Sequence, residues 1–201
     1  RCNPLPQSCK RFEMPDLNPL YPVFLKTSEL QILIVGGGNV ALEKLTFLFK
    51  SSPESRVHLV TPWLRKETRE FIQDKNVTIA LKPYEPSDLS GKHLIIATTD
   101  DPEVNLQVQR DCRQKGVLIN VADCPDLCDF YMGGIVTKGN LKIAISTNGK
   151  SPTLAKRMRQ WLEALLPDEM DDLLTTLRDY RTTLKGDFAY KVKTMNAVTK
   201  S

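Results

Sequence analysis

The most restrictive feature of this sequence is a glycine run set between two different hydrophobic patterns. Leu30-Gln31-Ile32-Leu33-Ile34-Val35 is a nearly continuous apolar stretch, of the kind buried on both faces of a parallel sheet. It runs into Gly36-Gly37-Gly38-Asn39-Val40, after which Ala41, Leu45, Leu48 and Phe49 recur at helical spacing and lay one apolar stripe along a helix. Gly36-x-Gly38-x-x-Ala41 therefore falls between a strand and a helix, the context in which such a fingerprint binds a dinucleotide. The glycines permit a tight turn and close backbone approach to a pyrophosphate, and the first N–H groups of the helix favour an anion. Gly36, Gly37, Gly38, Asn39 and Val40 are thus candidate cofactor contacts. The competing reading is a glycine-rich turn that binds nothing.

The alternation continues through residues 57–61, a helix carrying Leu64, Thr68, Phe71 and Ile72, and strand-like stretches at 77–81, 93–98 and 117–122, with Val104, Val108 and Cys112 aligned between the last two. Five parallel strands with intervening helices or crossovers predict a doubly wound, Rossmann-type α/β domain. After Pro125 the pattern changes. Residues 134–146 put Gly139-Asn140 between two β-rich arms, a hairpin that needs a partner to be stable. Ser151-Pro152 then starts a helix striped with Leu154, Met158, Trp161, Leu162 and Leu165, which Pro167 ends. Met170, Leu173, Leu174 and Leu177 mark another helix, and the polar end from about Lys193 reads as frayed.

Composition narrows the partners. The 201 residues are 41% hydrophobic and 26% charged, which is ordinary for a globular chain. A net charge of +4, from 28 basic and 24 acidic side chains, with no basic block interleaved with aromatics, argues against nucleic acid and leaves room for an acidic small molecule. No apolar run approaches the roughly 18 residues of a membrane span and no apolar leader opens the chain, so a cytoplasmic protein is expected. Five cysteines at irregular spacing do not make a disulfide framework. Cys124-x-x-x-Cys128, among Asp123, Asp126 and Asp129, lacks the second Cys/His pair of a zinc site, so no metal site is expected. Residues 1–13, which include Cys2 and Cys9, are set apart as an N-terminal extension.

Further candidates cluster at predicted strand ends. The second strand runs into Thr61-Pro62-Trp63 without the carboxylate that ordinarily binds the adenine ribose, so NAD is not separated from NADP on chemistry. Arg65 and Lys66 either meet a 2′-phosphate or are solvated helix charges. Thr98, Thr99 and Asp100 sit at the carboxyl edge, where open α/β sheets bind ligands, while Asp101-Pro102 reads equally as a helix cap. Asp123, following Asn120-Val121-Ala122, occupies that edge too, and a partly desolvated carboxylate there suits a proton acceptor. Its alternative is a turn cap. Thr147, Lys150, Ser151 and Arg157, with Lys156 and Arg159 nearby, surround a helix start that could receive carboxylates, against plain capping by Ser151.

Taken in order, Val35 to Ala41 with Lys44, then Ala97-Thr98-Thr99-Asp100-Asp101, Asn120-Val121-Ala122-Asp123, and Ser151-Pro152-x-Leu154-Ala155 with Arg157, resemble the precorrin-2 dehydrogenase / sirohydrochlorin ferrochelatase family of sirohaem synthesis. The resemblance covers residues 17–166. It implies an NAD-binding Rossmann domain at 14–132, a dimerisation domain at 133–164 and a helical domain at 165–201, in a homodimer with its active site between domains. It also implies NAD-dependent oxidation of precorrin-2 to sirohydrochlorin and, in bifunctional members, insertion of Fe²⁺. The family aspartate of both activities falls on Asp123, and the NAD contacts fall on Asn39 and Val40 and on Pro62 and Trp63. Asn120, Thr147, Lys150, Ser151 and Arg157 are the candidate substrate contacts, with Thr147 standing where the family has serine. The alternatives are a non-catalytic NAD-binding regulatory module and a chelatase alone.

Overall fold

The computed structural model describes residues 18–200, so the extension at 1–13 lies outside the described residues. Strands β1 (Gln31–Val35), β2 (Arg56–Thr61), β3 (Val77–Leu81), β4 (Leu94–Ala97) and β5 (Leu118–Val121) form one parallel sheet in the order β3-β2-β1-β4-β5. Strand order reverses between β1 and β4, and in open α/β sheets the crevice beyond the carboxyl ends at such a point is where ligands bind.

The period of two along β1 explains why its apolar run is uninterrupted. Ile32 and Ile34 face one side, where they pack with Leu45 and Phe49 of α1 (Asn39–Ser51). Leu33 and Val35 face the other, against Val108 and Cys112 of α3 (Pro102–Lys115). Between β2 and β3 lies the single short helix α2 (Lys66–Phe71), and the β3–β4 crossover carries only a 3₁₀ turn, Pro86–Leu89. The expected Rossmann-type α/β class is therefore observed.

The remainder follows the change of pattern after Pro125. Strands β6 (Gly134–Lys138) and β7 (Leu141–Ile145) pair antiparallel around Gly139-Asn140, with Gly139 at φ +54° in the left-handed region that glycine adopts without cost. Their partner is α4 (Pro152–Leu165), whose Ala155 carbonyl lies 3.6 Å from where a Cβ on Gly134 would stand. The hairpin turn is held in place by α5 (Met170–Thr183): Asn140 donates both its backbone N–H and its side-chain amide to Asp171, at 2.8 and 2.7 Å. On the far side, Lys142 donates to the carbonyl of Ser51 at the end of α1, tying the hairpin to the Rossmann unit.

One expectation fails at the carboxyl terminus. The end from Lys193 is not frayed but belongs to α6 (Phe188–Val198), whose start is capped by Asp187 accepting from the Tyr190 amide at 2.8 Å. Gly186 at φ +141° separates it from α5. Among the described residues no helix is long and apolar enough to cross a membrane.

Leu45 is fully buried where α1 meets the sheet. Leu45→Ala is expected to cost about 2–5 kcal/mol in urea unfolding; a loss below about 1 kcal/mol would contradict this packing.

Candidate dinucleotide and substrate site

The glycine loop is built by the approach of three strand ends. Gly36, at φ +114°, continues the β-ladder by donating its amide to Val60 at 2.9 Å, and a Cβ there would stand 2.7 Å from Thr98 Oγ1. Thr98 in turn donates both its amide and its hydroxyl to the Val35 carbonyl, at 2.8 and 2.9 Å. A Cβ on Gly37 would meet the Trp63 carbonyl at 2.6 Å. Both glycines are thus required by the protein's own packing, before any ligand is considered.

What the loop delivers is a bare helix start. Gly38 caps α1 with no side-chain hydrogen bond and no acidic residue stands in the first turn. By contrast, α3 is capped by Asp101, which accepts from Glu103 and Val104 at 2.9 and 3.3 Å, and α4 by Ser151, which accepts from Leu154 at 3.2 Å. The first N–H groups of α1 at Asn39 and Val40 have no intrahelical acceptor, and they fit the pyrophosphate of a dinucleotide.

The segment after β2 wraps this loop. Thr61 Oγ1 donates to the Trp63 carbonyl at 2.5 Å, the Arg65 amide donates to Gly37 at 3.2 Å, and Thr68 Oγ1 donates to Gly38 at 3.4 Å. Pro62 and the half-exposed Trp63 therefore lie beside the loop, with the Trp63 ring 3.6 Å from where a Gly38 Cβ would be.

Other predicted residues divide between the crevice and the scaffold. Thr99 Oγ1 bonds Asn105 Oδ1 at 2.8 Å and Asn105 returns a bond to the Thr99 carbonyl at 3.0 Å, so this hydroxyl braces the start of α3; Asp100 is exposed beside it. Asn120 is buried and donates to the Phe130 carbonyl at 2.9 Å, folding the chain back over β5. Asp123 stands two residues beyond β5 at the same carboxyl edge, with φ +59°. It is exposed, where partial desolvation was expected. Aspartate is among the few non-glycine residues enriched in that left-handed region, and such backbone outliers concentrate at functional sites.

Thr147 accepts from the Ser151 amide at 3.2 Å and Ser151 caps α4, so both hydroxyls shape the helix start, with Lys150 and Arg157 exposed around it. Nearby, Arg159 is paired with Glu163. Cys128 lies inside the loop after β5, donating to the carbonyls of Val121 and Cys124 at 3.2 and 3.3 Å, and burial pushes its thiol up. Among the described residues no group of three or more His, Cys, Asp or Glu gathers around a metal position.

Sequence reading missed two contacts. Lys142 meets Ser51 across 91 positions, with no local signal. Arg65, read as solvated or phosphate-facing, is locked by Glu67: Nε to Oε2 at 2.6 Å and Nη2 to Oε1 at 3.1 Å.

A switch-point crevice, a glycine turn required by packing and an uncapped helix start define a dinucleotide-binding protein of the doubly wound class. The chain belongs to the putative NAD(P)-binding family, whose profile matches residues 23–134. The profile of the sirohaem biosynthesis protein central region follows at residues 138–165. Curated relatives include the siroheme synthase of Pseudoalteromonas atlantica, 33% identical over 180 residues, covering 90% of this chain and 37% of the relative. That of Methylococcus capsulatus is 36% identical over 164 residues, covering 82% and 34%. The chain thus spans about a third of the length of these relatives. Among solved structures, SirC, a precorrin-2 dehydrogenase, shares the fold with TM-score 0.70 at 22% identity, over 90% of each chain. The family resemblance carried by the four motifs is borne out.

Asp101 is a cap in this structure. Asp101→Ala is expected to lose about 1 kcal/mol of stability in urea with dinucleotide affinity unchanged; a tenfold affinity loss at constant stability would instead make it a cofactor contact.

Proposed function

We propose that this chain oxidises precorrin-2 to sirohydrochlorin with NAD⁺, in sirohaem biosynthesis. The observation that carries the reading is the placement of the uncapped start of α1 and of Asp123 on one carboxyl edge of the sheet. Siroheme synthase relatives that span most of the chain support it.

When bound, NAD⁺ supplies the hydride acceptor. The chain's own share is positioning and proton handling. The first-turn N–H groups of α1, with Asn39 and Val40, hold the pyrophosphate, and Thr61, Pro62 and Trp63 flank the adenosine side. Thr98 and Thr99 fix the floor between the strands, with Asp100 at its rim. Asp123 takes the proton that leaves precorrin-2 with the hydride, so that one hydride and one proton account for the two hydrogens lost. Thr147 and Ser151 shape the start of α4, where Lys150 and Arg157 receive substrate carboxylates; Asn120 holds the loop that carries Asp123. A reaction that draws on NAD⁺ fits the cytoplasm.

We also infer a homodimer. Leu154, Met158, Trp161 and Leu165 lie along one side of α4 and are 50, 41, 62 and 60% exposed, a contiguous apolar stripe of the kind that marks a protein–protein contact. The corresponding division is a cofactor domain at 14–132, a dimerising unit at 133–164 and a helical unit at 165–201.

The test is anaerobic incubation with precorrin-2 and NAD⁺, following NADH and sirohydrochlorin absorbance, with Fe²⁺ added at the end to read metal insertion. Wild-type protein is expected to form both products, and Asp123→Ala to lose turnover by about a hundredfold or more while still binding NAD⁺. Full turnover by the variant would remove Asp123 from proton transfer, and an untouched substrate with NAD⁺ bound would favour a regulatory module. Trp161→Glu is expected to give a monomer by light scattering; an unchanged mass would place the interface elsewhere.

A further inference from the structure

The strand end that ordinarily reads the adenine ribose carries no carboxylate here, yet the structure places one charged pair immediately beyond it. Arg65 is fixed to the glycine loop by its own backbone, through the bond from its amide to the Gly37 carbonyl at 3.2 Å. Arg65 thus stands on the β2 side of the dinucleotide loop, where this fold seats the adenosine half. A guanidinium so placed is the usual partner of a 2′-phosphate, which it grips through two parallel N–H bonds.

In this chain the fork is already filled. Glu67 accepts from both Nε and Nη2, at 2.6 and 3.1 Å, in the same two-point geometry that a phosphate would use. The next cation, Lys66, is drawn the other way along α2, to Glu70 at 3.8 Å. We propose that the Arg65–Glu67 pair sets cofactor choice, with Glu67 withholding Arg65 so that the site takes the dinucleotide with a free 2′-hydroxyl and rejects the 2′-phosphorylated one. The proposal rests on the dinucleotide reading of the glycine loop.

Two features make the pair an effective discriminator. A 2′-phosphate arriving at Arg65 must displace a carboxylate or lie beside it, and like charges in that position repel. The Arg65 hydrogen bond also lowers the Glu67 carboxyl to about 2, as expected of a carboxylate engaged by the guanidinium. A ribose hydroxyl meets no such barrier. Glu67 thus acts from the start of α2 by neutralising a cation, where many NAD sites use a carboxylate at the end of the second strand to bind the ribose.

Isothermal titration of the full chain with NAD⁺ and with NADP⁺ tests this without any turnover. Wild-type protein is expected to bind NAD⁺ at least about tenfold more tightly than NADP⁺. Glu67→Gln is expected to tighten NADP⁺ by about tenfold, the scale of one charge-assisted contact, while NAD⁺ affinity moves less than about threefold. The gain should shrink as salt is raised. It should vanish when Arg65→Met is added to Glu67→Gln. Glu67→Ser is the second release variant, and unfolding curves confirm that each variant is folded. NADP⁺ affinity unchanged in both folded release variants would overturn the proposal, as would a gain that survives loss of Arg65 or a wild-type site that binds both dinucleotides equally. Binding of neither by wild-type protein would overturn the dinucleotide reading itself and the proposal with it, a result distinct from NAD⁺ binding without discrimination.

Discussion

The structure depends on how closely the carboxyl ends of β1, β2 and β4 can approach. The Val35 carbonyl accepts two bonds from Thr98, and Gly36 fits against that threonine only because it has no side chain. With β4 drawn in on one side and the Trp63 carbonyl pressed on Gly37 from the other, the chain leaves the sheet in a single direction and enters α1 with its first N–H groups uncapped. The bare helix start is thus a consequence of backbone packing. Phosphate affinity is built into the way the sheet closes, since the groups that pack the loop also aim the helix.

This explains why the first half of the chain was so legible. Residues 30–35 could be buried on both faces only in the centre of a parallel sheet, and the glycine run could follow them only as a tight turn. The hairpin and α4 carried equally local signals in Gly139-Asn140 and Ser151-Pro152. Where the reading failed, the decisive contact was small or distant. α6 hangs on the Asp187 cap, a single side chain in a polar stretch that otherwise resembles a loose end. The bond from Lys142 to Ser51 joins residues with no sequence relation, so nothing local announces it.

The site was legible by position more than by role. Thr98 and Thr99 do stand at the strand end that marks them as candidates, but the hydrogen bonds of their side chains run into the scaffold, as does that of Asn120. Asp123 reads from its position as a partly desolvated carboxylate and is exposed instead. The apolar stripe of α4 is likewise exposed in this chain. A sequence records the apolar face of a helix but not whether the same chain or another will cover it. The Arg65–Glu67 lock is a similar case, because separation by two residues across a helix start does not reveal whether two side chains turn toward each other.

The dinucleotide reading puts the cofactor on the uncapped start of α1 and the segment wrapped around it. Amide hydrogen exchange with and without saturating NAD⁺ tests it most directly, because the amides in question are those that bind. Slowed exchange is expected to concentrate in residues 36–41 and 61–65, with the hairpin turn at 139–140 unchanged. Protection confined to other segments, or none at all with NAD⁺ in excess, would contradict it.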